Sequence, residues 1–198
     1  MFRRSLALMV AAVVAAVAPG AVLAAGVQIR VEGKTRTIFG AAQPRVEASN
    51  PLEALEAASL AGEFYYHVTT TSFGPYVDQV ARFPATGTTG WVFKVNGASP
   101  PVGADKVELK DGDVVLWYWA QFGIVAGGPP TLELQRRPKG CYQAFKLDDN
   151  GARTVAAGAT LLVDGRRVAT RGGRACLKPR HGLVRAVLEG AVRSNAVR

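Results

Sequence analysis

His67 and Ser72, five residues apart, are the first pair whose types could do chemistry: a base and a hydroxyl nucleophile. A serine triad needs an acid as well, and no Gly-x-Ser-x-Gly elbow presents a serine on a strained turn. His67 instead sits in the strand-like run from Phe64 to Thr71, where alternate side chains are simply exposed or packed. Cys176 and His181 have the types of a thiol enzyme, but Cys141 is the more natural partner for Cys176. Asp111 and Asp113 bracket Gly112. They could hold calcium if further oxygens joined them, yet the twelve-residue loop pattern is missing and a tight turn accounts for Asp-Gly-Asp. His67 and His181 are the two histidines, and neither stands at a ligand spacing from a cysteine, so no metal site is expected. With no acid, base and nucleophile converging, the chain reads as a non-enzyme.

The first residues read as a targeting segment. Arg3 and Arg4 are followed by an uncharged apolar run from Leu6 to Val17, too short to span a bilayer comfortably. Pro19 and Gly20 break it, and Val22-Leu23-Ala24 offers a cleavage site after Ala24. No cysteine follows for lipid anchoring and no later apolar stretch of about 20 residues appears, so a secreted or periplasmic protein is expected, with no membrane span after cleavage. Cys141 and Cys176, an even pair in an oxidising compartment, then read as a disulfide across the second domain. Closing a loop of about 36 residues stabilises by ~3 to 4 kcal/mol in the chain-entropy model.

Lysine and arginine number 24 against 15 acidic residues, a formal net charge of +9, of which Arg3 and Arg4 leave with the targeting segment. The excess lies late in the chain, singly or in pairs from Arg136 to Arg198, among strand-like residues and with few aromatics. That spacing describes a solvated basic surface and gives no support to a nucleic-acid groove.

The elements that would position any site follow from period and punctuation. Val27 to Val31 alternates apolar and polar residues, turns at Glu32-Gly33-Lys34 and resumes from Thr35 to Phe39, a hairpin. Asn50-Pro51-Leu52-Glu53 carries an N-cap, a proline at the first helical position and a capping glutamate, so a helix of about ten residues starts there, with Gly62 placed to end it. Strands follow over Phe64–Thr71, Gly90–Val95 and Val114–Trp119. In the last of these Val115, Trp117 and Trp119 share one face and Val114, Leu116 and Tyr118 the other. Both faces are apolar, so the second must also be covered, by the following domain, a ligand or another subunit. The same alternation makes Trp91 a core anchor and sends Lys94 to water.

The series Trp91-Val92-Phe93-Lys94-Val95-Asn96-Gly97, Val102-Gly103-Ala104 and Leu109-Lys110-Asp111-Gly112-Asp113 running into Val114–Trp117 resembles the small β-grasp domain at the C-terminal end of transcobalamin and intrinsic factor. This DUF4430-type domain also occurs in exported bacterial proteins. The resemblance covers residues 27 to 123 and implies an α+β, β-grasp-like sheet with one helix over 25–123. It also implies cobalamin or another corrinoid as ligand, facing the edge Ser72, Phe73 and Gly74 and the strand start Trp91, Val92 and Phe93. The larger helical domain that completes the carriers is missing here, so the implied site is half of theirs.

Gly123 to Pro130 has linker composition, giving a join at 124–130. Beyond it, strand-like runs at Thr131–Leu134, Cys141–Lys146, Thr160–Val163, Arg167–Thr170, Ala175–Leu177 and Leu183–Leu188 are separated by Gly-rich turns. They predict an all-β sandwich over 131–198, which resembles the immunoglobulin-like or prealbumin-like modules appended to exported bacterial proteins. Two function classes follow: an exported ligand-binding module, or a structural or adhesive envelope module that makes protein contacts and binds no small molecule. The export reading has a direct test. Intact mass of the protein recovered outside the cytoplasm should correspond to a chain starting close to Ala25, and retention of Met1 on a membrane-bound form would overturn it.

Overall fold

A computed structural model of the protein describes residues 24–122, 128–179 and 181–198. The expected targeting segment up to Leu23, and residues 124–127 of the expected linker, lie outside them. In the first half the elements are β1 (Ala25–Glu32), β2 (Thr37–Phe39), β3 (Arg45–Ala48), α1 (Pro51–Gly62), β4 (Tyr66–Thr71), β5 (Gly74–Val80), β6 (Phe83–Pro84), β7 (Thr89–Val95) and β8 (Val114–Gln121). The helix starts where its sequence signals place it. The Asn50 side chain accepts from the Glu53 amide at 3.0 Å, satisfying an orphan donor of the first turn, and the Glu53 carboxylate reaches back to accept from the amide of Ser49, just before the cap, at 2.8 Å. It runs through Gly62, and the left-handed cap residue is Glu63, with φ 50°. One five-stranded sheet has β1 parallel to β8, β8 antiparallel to β7, and β2 and β3 sharing the other edge of β1. A separate three-stranded sheet, β4-β5-β6, stands beside it.

The second half holds β9 (Thr131–Arg137), β10 (Cys141–Leu147), β11 (Arg153–Val155), β12 (Thr160–Val163), β13 (Arg166–Ala169), β14 (Arg174–Cys176) and β15 (Val184–Val187). The strands β9, β10, β11 and β14 form one sheet and β13-β12-β15 another, and both contribute to one apolar cluster through Leu132, Leu134, Tyr142, Leu161, Val184 and Ala186. Cys141 and Cys176 are disulfide-bonded. They face each other on neighbouring strands β10 and β14, so the bond ties strands within one sheet and does not cross between two.

The expected fold class, an α+β β-grasp domain followed by an immunoglobulin-like sandwich, is therefore corrected. Among the described residues the chain is mostly β, with fifteen strands in four small sheets and one 12-residue helix. Segments that Gly and Pro made look like loops are strands: β3 follows Pro44, β5 opens on Gly74-Pro75 and β6 ends on Pro84. Proline is tolerated at strand ends, where its missing N–H breaks little of the ladder. Among the described residues no helix is long and apolar enough to cross a membrane.

The five-stranded sheet has two covered faces of different chemistry. On one, Val27, Ile29, Val31, Val115, Trp117 and Trp91 pack against Ala54, Leu55 and Ala58 of α1, and the Trp117 indole donates to the Pro51 carbonyl at 2.9 Å. On the other lie Leu116 and Tyr118 of β8, with Arg30 and Glu32 of β1 beside them in register. The second half of the chain covers this face, as the two-sided apolarity of β8 required of some partner. Glu32 is 1 % exposed. Its carboxylate pairs with Arg30 at 3.3 Å, with Arg193 at 3.0 Å and with Arg185, and accepts from the Thr37 hydroxyl at 3.0 and 3.1 Å. Lys94, expected to face water, is also 1 % exposed: its ammonium donates to the carbonyl of Asp148 at 2.6 Å and lies 3.3 Å from the Asp149 carboxylate. Alternation placed its face correctly, but that face is not solvent. Burial lowers the Lys94 pKa, with Asp149 opposing, and pushes the Tyr118 phenol up.

Two stability outcomes follow. Glu32→Ala strands three guanidiniums and should destabilise the protein by about 3–5 kcal/mol, the cost of breaking a buried ion pair. Trp91→Ala, which empties a core site 2 % exposed, should cost ~3 to 5 kcal/mol. Denaturant melts of the full chain measure both, and a loss below about 1 kcal/mol in either would contradict the burial argued here.

Candidate functional site

Where the two halves meet, a cleft of about 500 Å³ opens between the β1–β2 turn at Gly33 and Lys34, the end of β8 at Trp119 and Gln121, and the segments 128–130 and 190–193. Each wall has a local cause. The Val192 amide donates to the Pro130 carbonyl at 2.9 Å and the Leu132 amide to the Val192 carbonyl at 3.0 Å, which fixes one side as a short parallel bridge. Arg193 joins the two walls, donating from Nε to Glu32 at 3.0 Å and from Nη2 to the Gly33 carbonyl at 2.6 Å. The Lys34 ammonium lies 5.1 Å from the centroid of the Trp119 ring, a cation–π contact at the mouth.

The lining is an indole, two prolines and the aliphatic groups of Ala191 and Val192, with Lys34 and Gln121 as polar handles. Among the described residues it includes no His, Cys, Ser, Asp or Glu. Such a surface can enclose a flat apolar body and orient it with the cations Lys34 and Arg193.

The residues expected to bind ligand fall into three surroundings. Ser72 and Phe73 form the exposed tip of the β4–β5 hairpin, where Phe73 is 97 % exposed. Gly74 follows with φ 107°, a conformation L side chains rarely adopt. Trp91 is buried and donates its indole N–H to the Phe83 carbonyl at 2.8 Å, while Phe93, on the same face, stacks on Trp117 with ring centroids 5.2 Å apart. Val92 faces the other way and packs with Leu116, Tyr118, Phe122 and Val192 at the junction. The structure does not bring these six together on one surface.

The residues considered for chemistry have other occupations. His67 pairs with Asp78 at 2.7 Å on an exposed strand face, and Thr69 donates to the same carboxylate. Burial pushes the Asp78 pKa up, but these hydrogen bonds and the His67 charge outweigh it and leave the carboxyl below its ordinary value. Asp111 accepts from the Gly26 amide at 2.7 Å, and Asp113 from the Lys110 amide and the Asn96 side chain, both at 2.8 Å, which makes Asp-Gly-Asp a turn lock. Among the described residues no three His, Cys, Asp or Glu side chains converge where a metal could be held. Lys34, Gln121 and the segments 128–130 and 190–193 were not singled out from sequence. The nearest signal was Trp119, an aromatic near the end of the last strand with Gly and Pro soon after it.

Among solved structures, one similar to the chain is that of a "putative metal binding protein" from Ruminococcus gnavus ATCC 29149. It is 17 % identical, covers 50 % of this chain and 99 % of its own, and has a TM-score of 0.39. No curated protein matches the chain. The matches do not extend the resemblance to transcobalamin or to immunoglobulin-like modules. What they do attach to the chain is a family model, "Domain of unknown function (DUF4430)", over residues 52–121, from the second residue of α1 to the end of β8.

Proposed function

We propose that this chain is an exported, non-enzymatic binding module that takes a flat, largely apolar small molecule into the cleft between its halves, in a secreted or periplasmic setting. The observation that supports it best is the cleft itself. At about 500 Å³ it lies within the ~300–1,000 Å³ range of small-molecule sites, and it carries an indole with the cations Lys34 and Arg193. The corrinoid implied by the resemblance to the cobalamin carriers belongs to this reading as its finer form. A macrocycle with axial ligands is bulkier than the cleft, so it would be held by an edge, with a dissociation constant no tighter than about micromolar. The adhesive reading draws on a different observation: Leu60, Tyr65 and Phe73 are exposed on or next to α1 and the β4–β5 hairpin.

Tryptophan fluorescence separates the readings, because Trp91 and Trp117 are buried while Trp119 lines the cleft. Titration with 1-anilinonaphthalene-8-sulfonate and, separately, with cyanocobalamin corrected for its absorbance should give saturable quenching. Trp119→Phe should remove most of that quenching, and Lys34→Glu should weaken the sulfonate about tenfold by reversing the charge at the mouth. Saturation by the sulfonate alone would keep the cleft and discard the corrinoid. No saturable signal from either up to millimolar probe would leave the adhesive module as the better account.

A further inference from the structure

Charge divides unevenly between the two halves of the chain. Residues 131–198 hold 14 lysines and arginines against 5 acidic residues, a balance of +9, whereas residues 24–130 hold 8 against 10, a balance of −2. Within the second half, Arg185 and Arg193 pair with Glu32 and Arg153 pairs with Glu133 at 2.7 Å. Its other lysines and arginines have no acidic partner among the described residues.

Part of that excess gathers at one end of one sheet. On β10, Cys141, Gln143 and Phe145 alternate with Tyr142 and Ala144, which fill the apolar cluster, so the first three lie on the outer face. Residues opposite each other across a ladder share a face, which puts Arg137 and Cys176 beside Cys141, Arg174 beside Gln143 and Val155 beside Phe145. Arg137, Arg174 and Val155 are all exposed. The Arg137 guanidinium lies 5.7 Å from the centre of the Phe145 ring, a cation–π contact that holds it against the sheet. The Leu177 amide donates to the Gly140 carbonyl at 2.9 Å, which brings the exposed Lys139 and Lys178 to the same end, where the Cys141–Cys176 disulfide ties the strands.

Cations arranged in this way suit an extended charged plane. The opposite signs of the two halves orient the molecule only in a field that spans both, and these cations stand on an open sheet face that lines neither junction cavity. Val155, 50 % exposed on the same face, adds an apolar contact that the boundary between headgroups and acyl chains can use and a soluble polyanion cannot. We propose that the disulfide-tied end of the sheet formed by β9, β10, β11 and β14 docks on the surface of an anionic phospholipid bilayer, with Arg137, Lys139, Arg174 and Lys178 against the headgroups. This docking depends neither on the junction cleft nor on a ligand there.

The probe is a phosphatidylcholine vesicle containing about 30 mol % phosphatidylglycerol, co-sedimented with the exported chain beside vesicles of phosphatidylcholine alone. The chain should bind the anionic vesicles, ignore the neutral ones, and be released as salt rises from about 0.05 to 0.5 M. Arg137→Gln with Arg174→Gln removes two basic residues from the face and should weaken binding about thirtyfold. Because Arg137 also stacks on Phe145, Lys139→Gln with Lys178→Gln, on exposed turn positions, gives an independent reading and should weaken it similarly. Lys106→Gln with Lys110→Gln takes the same charge from exposed positions of the first half and should change binding less than about threefold. Equal binding to neutral vesicles, no binding up to millimolar lipid, or an equal loss from the first-half pair would overturn the docking face. Tighter capture by soluble polygalacturonate than by the anionic vesicles would overturn it too, and assign these cations to an acidic polysaccharide.

Discussion

The structure turns on one buried carboxylate. Glu32 ends the central strand β1 on a face from which water is excluded, and a lone charge there would cost several kcal/mol or more to bury. It is tolerable because two of its partners come from the opposite end of the chain. Arg185 lies on β15 and Arg193 in the segment after it, so the ion cluster can form only when both halves are folded and docked. The same requirement makes the pairing selective. An apolar patch would accept many partners, whereas one carboxylate ringed by Arg30, Arg185, Arg193 and Thr37 accepts few. Whether the cluster adds net stability over an apolar equivalent is a separate question from the cost of breaking it.

From that clamp the remaining junction follows in order along the chain. Arg193 reaches both Glu32 and the Gly33 carbonyl, and Ser194 accepts from Arg185 through its carbonyl. Asn195 then exchanges two bonds with the backbone of Leu134, and the Ala196 amide donates to the Ala41 carbonyl. A four-residue stretch is thereby stitched to both halves: Arg193 and Ala196 to the first, Ser194 and Asn195 to the second. The walls of the 500 Å³ cleft, Gly33 on one side and Val192 and Arg193 on the other, are spaced by these bonds and not by side-chain packing alone.

How much of this could be read in advance depended on whether the signal was local. The Asn50–Glu53 capping box was legible because its hydrogen bonds close within four residues. The alternation of β8 was legible too, and its two apolar faces correctly announced a covering partner. The strands β3, β5 and β6 were not, because their Gly and Pro punctuation resembles a loop until the neighbouring strand supplies the ladder. Lys94 failed for a different reason, and nothing in the sequence marked Arg30 and Glu32 as buried. Alternation assigns a side chain to a face and says nothing of what lies over it, so Lys94 looked solvated although Leu116, its partner in register, did not. The contradiction between apolar β8 and polar β1 and β7 on one face was itself the clue to an ionic interface.

That mixed face also explains where binding capacity can reside. The helix side of the five-stranded sheet is filled by Ala54, Leu55 and Ala58, and the other side is occupied by the second half of the chain. Neither face is left to receive a ligand, and so Trp91 and Phe93, however aromatic, are turned to structural use. Among the described residues, two openings lie at the junction: one at the strand end beside Trp119, and a smaller one lined by Arg30, Leu116 and Leu147. The two openings differ as their walls do. One is bounded by indole and proline and suits apolar matter. The other is bounded by the Arg30 guanidinium beside Leu116 and Leu147, and both lie where the halves meet through the Glu32 ion cluster and the apolar contacts of Leu116, Tyr118 and Val192.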